Sequence, residues 1–451
     1  MITLILKNFL RSNSVKIGVI FLLLAGIISL FVGKQFLNKQ HQSVSETATY
    51  QQNHIARNVK NHQDEIGLLL YYLKFSVVNK TLPINALSIG QRDVNPSIQS
   101  VTIRTLEAQK YDSDLNNPSN LLLGNIDFSF VLIFLFPLLV IAFTYNIISE
   151  ERESGTWRIV IIQSKSPFLF IFQLFAIRFL IIFLVLLITL FSSVIFLGIP
   201  LDAAFWTYLI TSTLYLIFWF GVCFWVASLH KSSNFNAVIL LSIWIFLIII
   251  LPASINNYLV NKYPTPEALE TTLKQRKGYH EKWDMDKQKT VDKFFVHYPQ
   301  FNKFKMPAGD FNWLWYYAMQ QMGDDESAKQ SQELREKLEK RNEVSANIAQ
   351  FIPTLHLQIQ LNEIAKSGLE NQLLFLDEMS KFHEKNRLYF YPKIFSESPV
   401  NSENWSQFKV QTFTDKSSIN YPKLFLPLLL FILLFGGLGW ANFRGKHSRL
   451  I

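Results

Sequence analysis

Six stretches of this chain, residues 17–33, 128–148, 168–198, 205–229, 237–251 and 424–441, are apolar and long enough to cross a bilayer. About 20 mostly apolar residues, each rising 1.5 Å in a helix, cover about 30 Å of hydrocarbon. The composition agrees, with 49% hydrophobic residues, 40 Phe and only 17% charged residues. Most of the charge lies in two polar segments, 34–127 and 252–423. The expected fold is an all-α polytopic membrane protein: six transmembrane helices with two mainly helical extracytoplasmic insertions.

Orientation follows from the bases in the short loops, which stay in the cytoplasm. Lys7, Arg11 and Lys16 precede the first span; Arg152, Arg158 and Lys165 follow the second; Lys231 follows the fourth; Arg444, Lys446 and Arg449 follow the sixth. The remaining short loop, 199–204, has Asp202 and no base. Both termini are therefore expected in the cytoplasm and both polar segments outside, in the inner (plasma) membrane. That gives an interfacial helix and first span at 1–33, a first outer domain at 34–127, spans two to five at 128–251 with a cytoplasmic loop at 149–167, a second outer domain at 252–423, and a sixth span with a basic tail at 424–451. The excess of base behind the net charge of +9 needs no nucleic acid to explain it. The first apolar run exceeds a signal-peptide core of about 7–15 residues and lacks an Ala-x-Ala-like site after it, so it reads as an anchor. The lone Cys223 excludes an intrachain disulfide.

The outer segments read as helical. Residues 324–350 contain neither Gly nor Pro and set Glu333 to face Lys337 and Glu336 to face Lys340 one turn on. Residues 355–375 place Leu357, Leu361, Ile364, Leu369 and Leu373 near one face, with Gly368 as a weak point. Residues 51–80 also have helical apolar spacing. Catalytic chemistry is thin. Gly445-Lys446-His447 lacks the upstream glycine and the Ser/Thr of a P-loop. His280, His297, His356 and His383 lack ligand spacing, so no metal or other cofactor is expected in this chain.

The loop after the second span carries Glu150, Glu151 and Glu153 just before an apolar segment at 155–163. Acids complement the positive end of a helix, and Ser149 or Ser154 can supply a cap oxygen. The loop therefore reads as a short helix on the membrane surface, or more plainly as a turn charged to keep it in water.

Glu151-Arg152-Glu153-Ser154-Gly155-Thr156-Trp157, followed by Ser166-Pro167 and then by Arg178, resembles the coupling-loop signature of type-2 ABC (ATP-binding cassette) exporter permeases. The resemblance implies a cytoplasmic ABC ATPase dimer as partner, with ATP and Mg held there. It also implies a second permease copy or a paralogue beside this chain. Glu150, Glu151, Glu153, Gly155, Thr156, Trp157 and Arg158 would be the ATPase-coupling residues. Arg178 would sit at the inner boundary, snorkelling or pairing with the acidic loop. Leu361-Asn362-Glu363-Ile364-Ala365, Phe375, Phe382-His383, Arg387 and Tyr391-Pro392 resemble the uncharacterised outer-domain signature of one bacterial branch of that family, with Lys366 where a glycine is expected.

Two sets of small residues permit close helix packing, either within the subunit or against a second copy: Ala25, Ser29 and Gly33, and Gly436, Gly437 and Gly439. Aromatic span residues such as Phe191, Trp206 and Trp219 suit membrane lipid or an amphipathic cargo. The alternative function is a membrane-anchored receptor or scaffold whose outer helical domain binds a partner. It leaves six spans and an acidic Gly-Thr loop unexplained.

Overall fold

The computed structural model describes residues 2–110, 125–157, 166–265, 281–307 and 309–447, together with 270, 273, 274 and 277. It is 77% helical. Six helices are long and apolar enough to cross a membrane: Asn13–Asn61, Phe128–Glu153, Pro167–Leu197, Ala203–Ala227, Ser233–Lys262 and Tyr421–Arg444, here spans one to six. The chain is a multi-pass membrane protein of the all-α class. A short amphipathic helix, α1 (Ile2–Arg11), precedes span one.

The helix of span one has 49 residues and is therefore about 73 Å long, more than twice the hydrocarbon thickness. Its apolar stretch marks where it leaves the membrane, not where it ends. Gln51, Ile55 and Asn58, near its far end, are buried in the polar domain. Helical spacing over 51–80 stops short of the expectation: after α2 (Ile66–Tyr72) the chain extends into β1 (Phe75–Asn79). β1 pairs antiparallel with β2 (Ile98–Val101), with Val77 opposite Gln99, and parallel with β3 (Gln411–Phe413), with Val78 opposite Thr412.

That sheet joins the two polar segments, and so does their core. Leu69, Leu70 and Phe75 from the first segment pack with Trp315, Phe375, Met379 and Phe390 from the second. The second segment supplies α3 (Lys287–His297), α4 (Trp313–Ala349), α5 (Pro353–Ile364) and α6 (Leu369–Phe395). Gly368 is the N-cap of α6, so the weak point in the 355–375 pattern is the break between two helices. The two segments thus fold as one polar domain.

In the bundle, 67% of the most apolar window of span two is buried but only 11% of that of span five. Span five therefore lies on the rim, while Tyr215, Phe218 and Trp219 of span four are fully buried in the middle. Spans two and five each contain a π turn, Val131–Leu135 and Phe246–Ile250, with Pro137 and Pro252 just beyond. A proline has no N–H for the preceding turn, and a freed carbonyl in hydrocarbon must find another donor. The Ile133 carbonyl accepts from Tyr215 Oη at 3.1 Å, that of Phe134 from Trp244 Nε1 at 3.2 Å, and that of Leu247 from Thr354 Oγ1 at 2.6 Å. The last bond comes from the polar domain.

Candidate functional site

The acidic residues form a helical turn of their own, Ser149–Glu153, ahead of Gly155. Residues 158–165 lie outside the described residues, so Arg158 and most of the apolar segment expected at 155–163 are not placed. In this turn Ile148 holds the N-cap position and Ser149 is the first helical residue, its Oγ 2.8 Å from Ser233 Oγ, while a cap by either serine on the segment expected at 155–163 falls outside the described residues. Ser154 follows the helix, its hydroxyl donating to the Glu150 carbonyl at 2.8 Å. Gly155 has φ +77°, a left-handed conformation that ends the turn and suits a residue without Cβ.

The turn is tied to the loop between spans four and five. Glu153 accepts the Ser233 N–H at 2.7 Å and the Ser233 hydroxyl at 2.8 Å, so its carboxylate sits on the N-terminus of the span-five helix, where negative charge is favoured. Asn236 Nδ2 donates to the Tyr145 carbonyl at 3.0 Å, and the Arg152 guanidinium donates to the His230 carbonyl. Trp157 is only 8% exposed and meets the His230 ring edge-on at 6.4 Å, while His230 stacks on Phe443 of span six at 5.9 Å. Glu150, Gly155 and Thr156 are exposed and Glu151 is half-buried; the Thr156 hydroxyl donates to the Glu151 carboxylate. Of the seven residues expected to couple, Glu153 and Trp157 are thus tied to other parts of the chain, Glu150, Glu151, Gly155 and Thr156 form the accessible edge, and Arg158 lies outside the described residues. Nothing in the local sequence points to Ser233 or His230 as partners of the acidic turn, and Lys231 in that loop bears only on orientation.

Arg178 serves as a stitch. Nε donates to the Phe143 carbonyl at 2.6 Å, Nη1 to the Leu174 carbonyl at 3.1 Å, and the guanidinium carbon lies 4.8 Å from the centre of the Phe9 ring. Carbonyl dipoles and an aromatic face of α1 meet the charge, where a carboxylate of the acidic turn was one expectation. The small residues of span one pack within the chain. A Cβ on Gly26 would stand 2.9 Å from Thr189 of span three, and one on Gly33 2.5 Å from the Ala86 carbonyl oxygen. Ser29 is fully buried and donates to the Gly26 carbonyl at 2.6 Å, and Ala25 packs half-buried against the same core. In span six, Gly439 abuts Phe224 of span four, whereas a Cβ on Gly436 or Gly437 would meet nothing within 4 Å.

At the other end of span five, α5 is the joint between bundle and polar domain. Its Leu357, Leu361 and Ile364 belong to the core of the bundle, Thr354 bonds span five, and His356 Nε2 lies 2.9 Å from the Leu424 carbonyl of span six. The end of α5 is gripped by the first polar segment. Ser88 donates to Asn362 Oδ1 at 2.7 Å, Gln91 N–H to the Ser367 carbonyl at 2.9 Å, and Arg92 Nε to the Lys366 carbonyl at 3.1 Å. Lys366 has φ +54°. The position where a glycine was expected is therefore a left-handed helix end.

The remaining signature residues organise the polar domain. Arg387 pairs with Asp324 at 2.7 Å and donates to the Ile103 carbonyl at 3.1 Å, while Asp324 accepts the Leu106 N–H at 2.9 Å. His383, 2.8 Å from the Arg104 carbonyl, is pushed well below its ordinary pKa by burial and by Arg387, and so stays neutral. Among the described residues no group of three or more His, Cys, Asp or Glu could hold a metal ion.

No curated protein and no solved structure matches this chain. Residues 268–414 match a family described as a domain of unknown function (DUF3526), a stretch that runs from beyond span five to just short of span six and takes in α3 to α6 and β3.

Proposed function

We propose that this chain is the membrane-spanning permease subunit of an ATP-binding cassette exporter, coupling ATP hydrolysis in a separate ATPase dimer to movement of a cargo across the inner (plasma) membrane. Both termini and the acidic turn face the cytoplasm, and the polar domain lies outside. ATP and Mg belong to the partner, and a second permease copy or paralogue completes the conduit. The observation that carries the reading is the grip of Glu153 on Ser233. A partner pressing on the accessible edge of the turn moves the start of span five with it. Span five is the least buried of the six and is bonded to α5 at its π turn, so its displacement reaches the polar domain through Thr354. A scaffold needs no such rod.

The test is co-purification of an ABC ATPase with this chain from the cells that produce it. Glu150→Lys with Glu151→Lys reverses charge on the accessible edge and leaves the Glu153–Ser233 contact alone. The double variant is expected to insert and fold but to lose the ATPase. Undiminished co-purification would remove the coupling assignment, as would labelling of a Glu150→Cys variant from outside intact cells.

A further inference from the structure

We propose that the cleft where the polar domain meets spans three, four and six binds a zwitterionic amphiphile, one whose head carries both a phosphate and an amine. The cleft has a volume of about 440 Å³. That lies within the roughly 300–1,000 Å³ of small-ligand sites, enough for a head group and the first part of a chain. Its walls come from four separate segments: the turn at 82–84, the link at 199–204 between spans three and four, the end of α5, and residues 415–421 leading into span six.

Its level in the fold is set by the spans. Gly198 caps span three, Asp202 is the N-cap of span four, and Tyr421 begins span six. The cleft therefore opens where hydrocarbon gives way to water. One wall is apolar, with Leu82, Ile84, Ile199, Ile364 and Ile419; the rest carries Lys366, Asp415 and Asp202. A wholly apolar lipid tail meets only the apolar wall, and a soluble ion meets only the charged one. An amphiphile meets both.

Two acids and one base line the cleft; Asp415 is committed to Asn371, Ser417 and Lys366, while Lys366 and Asp202 have bonding capacity to spare. Lys366 Nζ donates to the Ser417 carbonyl at 2.8 Å and to the Ser417 hydroxyl at 2.5 Å, and stands 3.9 Å from Asp415. An ammonium has three N–H donors, so one is left for a phosphate oxygen. Asp202 Oδ1 takes the Ala204 and Phe205 N–H groups at 3.0 and 3.1 Å, while its Oδ2 has no partner among the described residues and is left for an amine. Lys366 also holds a left-handed backbone, φ +54°, that glycine adopts freely.

The site belongs to this chain alone and does not depend on an ATPase partner. Full-length protein in a maltoside detergent is titrated with dihexanoyl phosphatidylethanolamine and, in parallel, with dihexanoyl phosphatidylglycerol, which has the phosphate but no amine. Calorimetry or native mass spectrometry reads binding. Lys366→Gly, which relaxes the backbone while removing the ammonium, is expected to weaken binding of the ethanolamine lipid about tenfold, the scale of one charge-assisted hydrogen bond. Asp202→Asn keeps a capping oxygen, so the fold is retained, and is expected to erase the preference for the ethanolamine over the glycerol lipid. If Lys366 is only a tether for Ser417, Lys366→Gly shifts the melting temperature and leaves both isotherms as they were. That result, or equal affinity of the unaltered protein for the two lipids, overturns the proposal.

Discussion

Thr354 Oγ1 lies 2.6 Å from the Leu247 carbonyl oxygen, so the polar domain supplies the hydrogen bond that span five lacks around its π turn and Pro252. Thr354 is only 2% exposed, and no water can substitute. Thr354→Val keeps the shape and orphans the carbonyl, which costs about 1–3 kcal/mol. The expected outcome is a lower thermal midpoint for the purified protein, restored by Thr354→Ser. If this bond also transmits motion, the valine variant keeps its ATPase partner but loses transport. A valine variant melting like the parent would show that the contact carries no weight.

Glu153 and Ser233 make two bonds across two loops, with the carboxylate on a helix N-terminus. If these contacts act as one unit, Glu153→Ala and Ser233→Ala each lower the thermal midpoint and the double variant lowers it no further than the worse single one. Simple additivity of the two shifts would mean that the residues are independent.

The six spans were legible because unbroken apolar length is a local property that few other structures require. The ends of span one were not: hydrophobicity stops near Gly33, but nothing in the polar sequence beyond it breaks the helix before His62. β1 was missed because Leu69, Leu70 and Leu73 continue a helical spacing up to Lys74, although Val77 and Val78 are β-branched. Its parallel pairing with Gln411–Phe413 joins segments from opposite ends of the chain, and no local pattern encodes it. The acidic turn was legible as a unit, but the role of Glu153 was not, because Ser233 lies in another loop. Lys366 is the reverse case. A resemblance marked it as a missing glycine, and the φ of +54° supplies the physical reason.

Glu363 lies beside the α5 joint, and burial, reinforced by Glu370, pushes its pKa up to about 7, against the opposing pull of Lys366 and Lys423. The folded protein then holds this proton more tightly than the unfolded chain. The stability it contributes is full below about pH 4.5 and is lost as pH rises through 7, to the extent of about 2–3 kcal/mol. Glu363→Gln mimics the protonated form at every pH. Between pH 5 and 8 the difference in melting temperature between Glu363→Gln and the parent should widen in favour of Gln; a constant difference would show that Glu363 ionises normally.

Gly33 and Gly436 look alike in sequence, each a small residue in a span, yet the structure separates them. A Cβ at Gly33 would lie 2.5 Å from the Ala86 carbonyl oxygen, a backbone atom that cannot swing aside. Gly33→Ala must therefore push span one away from the polar domain, at a cost of about 1–3 kcal/mol. Gly436 faces an apolar groove of about 290 Å³ between spans three, four and six, bordered by Phe172, Phe220 and Trp440, and its added Cβ would meet nothing within 4 Å. Gly436→Ala is expected to leave the stability of the isolated chain within about 0.5 kcal/mol of the parent, as surface substitutions do. Thermal melts of both variants in one detergent check the contrast. Should the two alanines cost the same, span one is not seated on the domain as described; should Gly436→Ala alone reduce cross-linking between copies, the open face of span six is where a second chain packs.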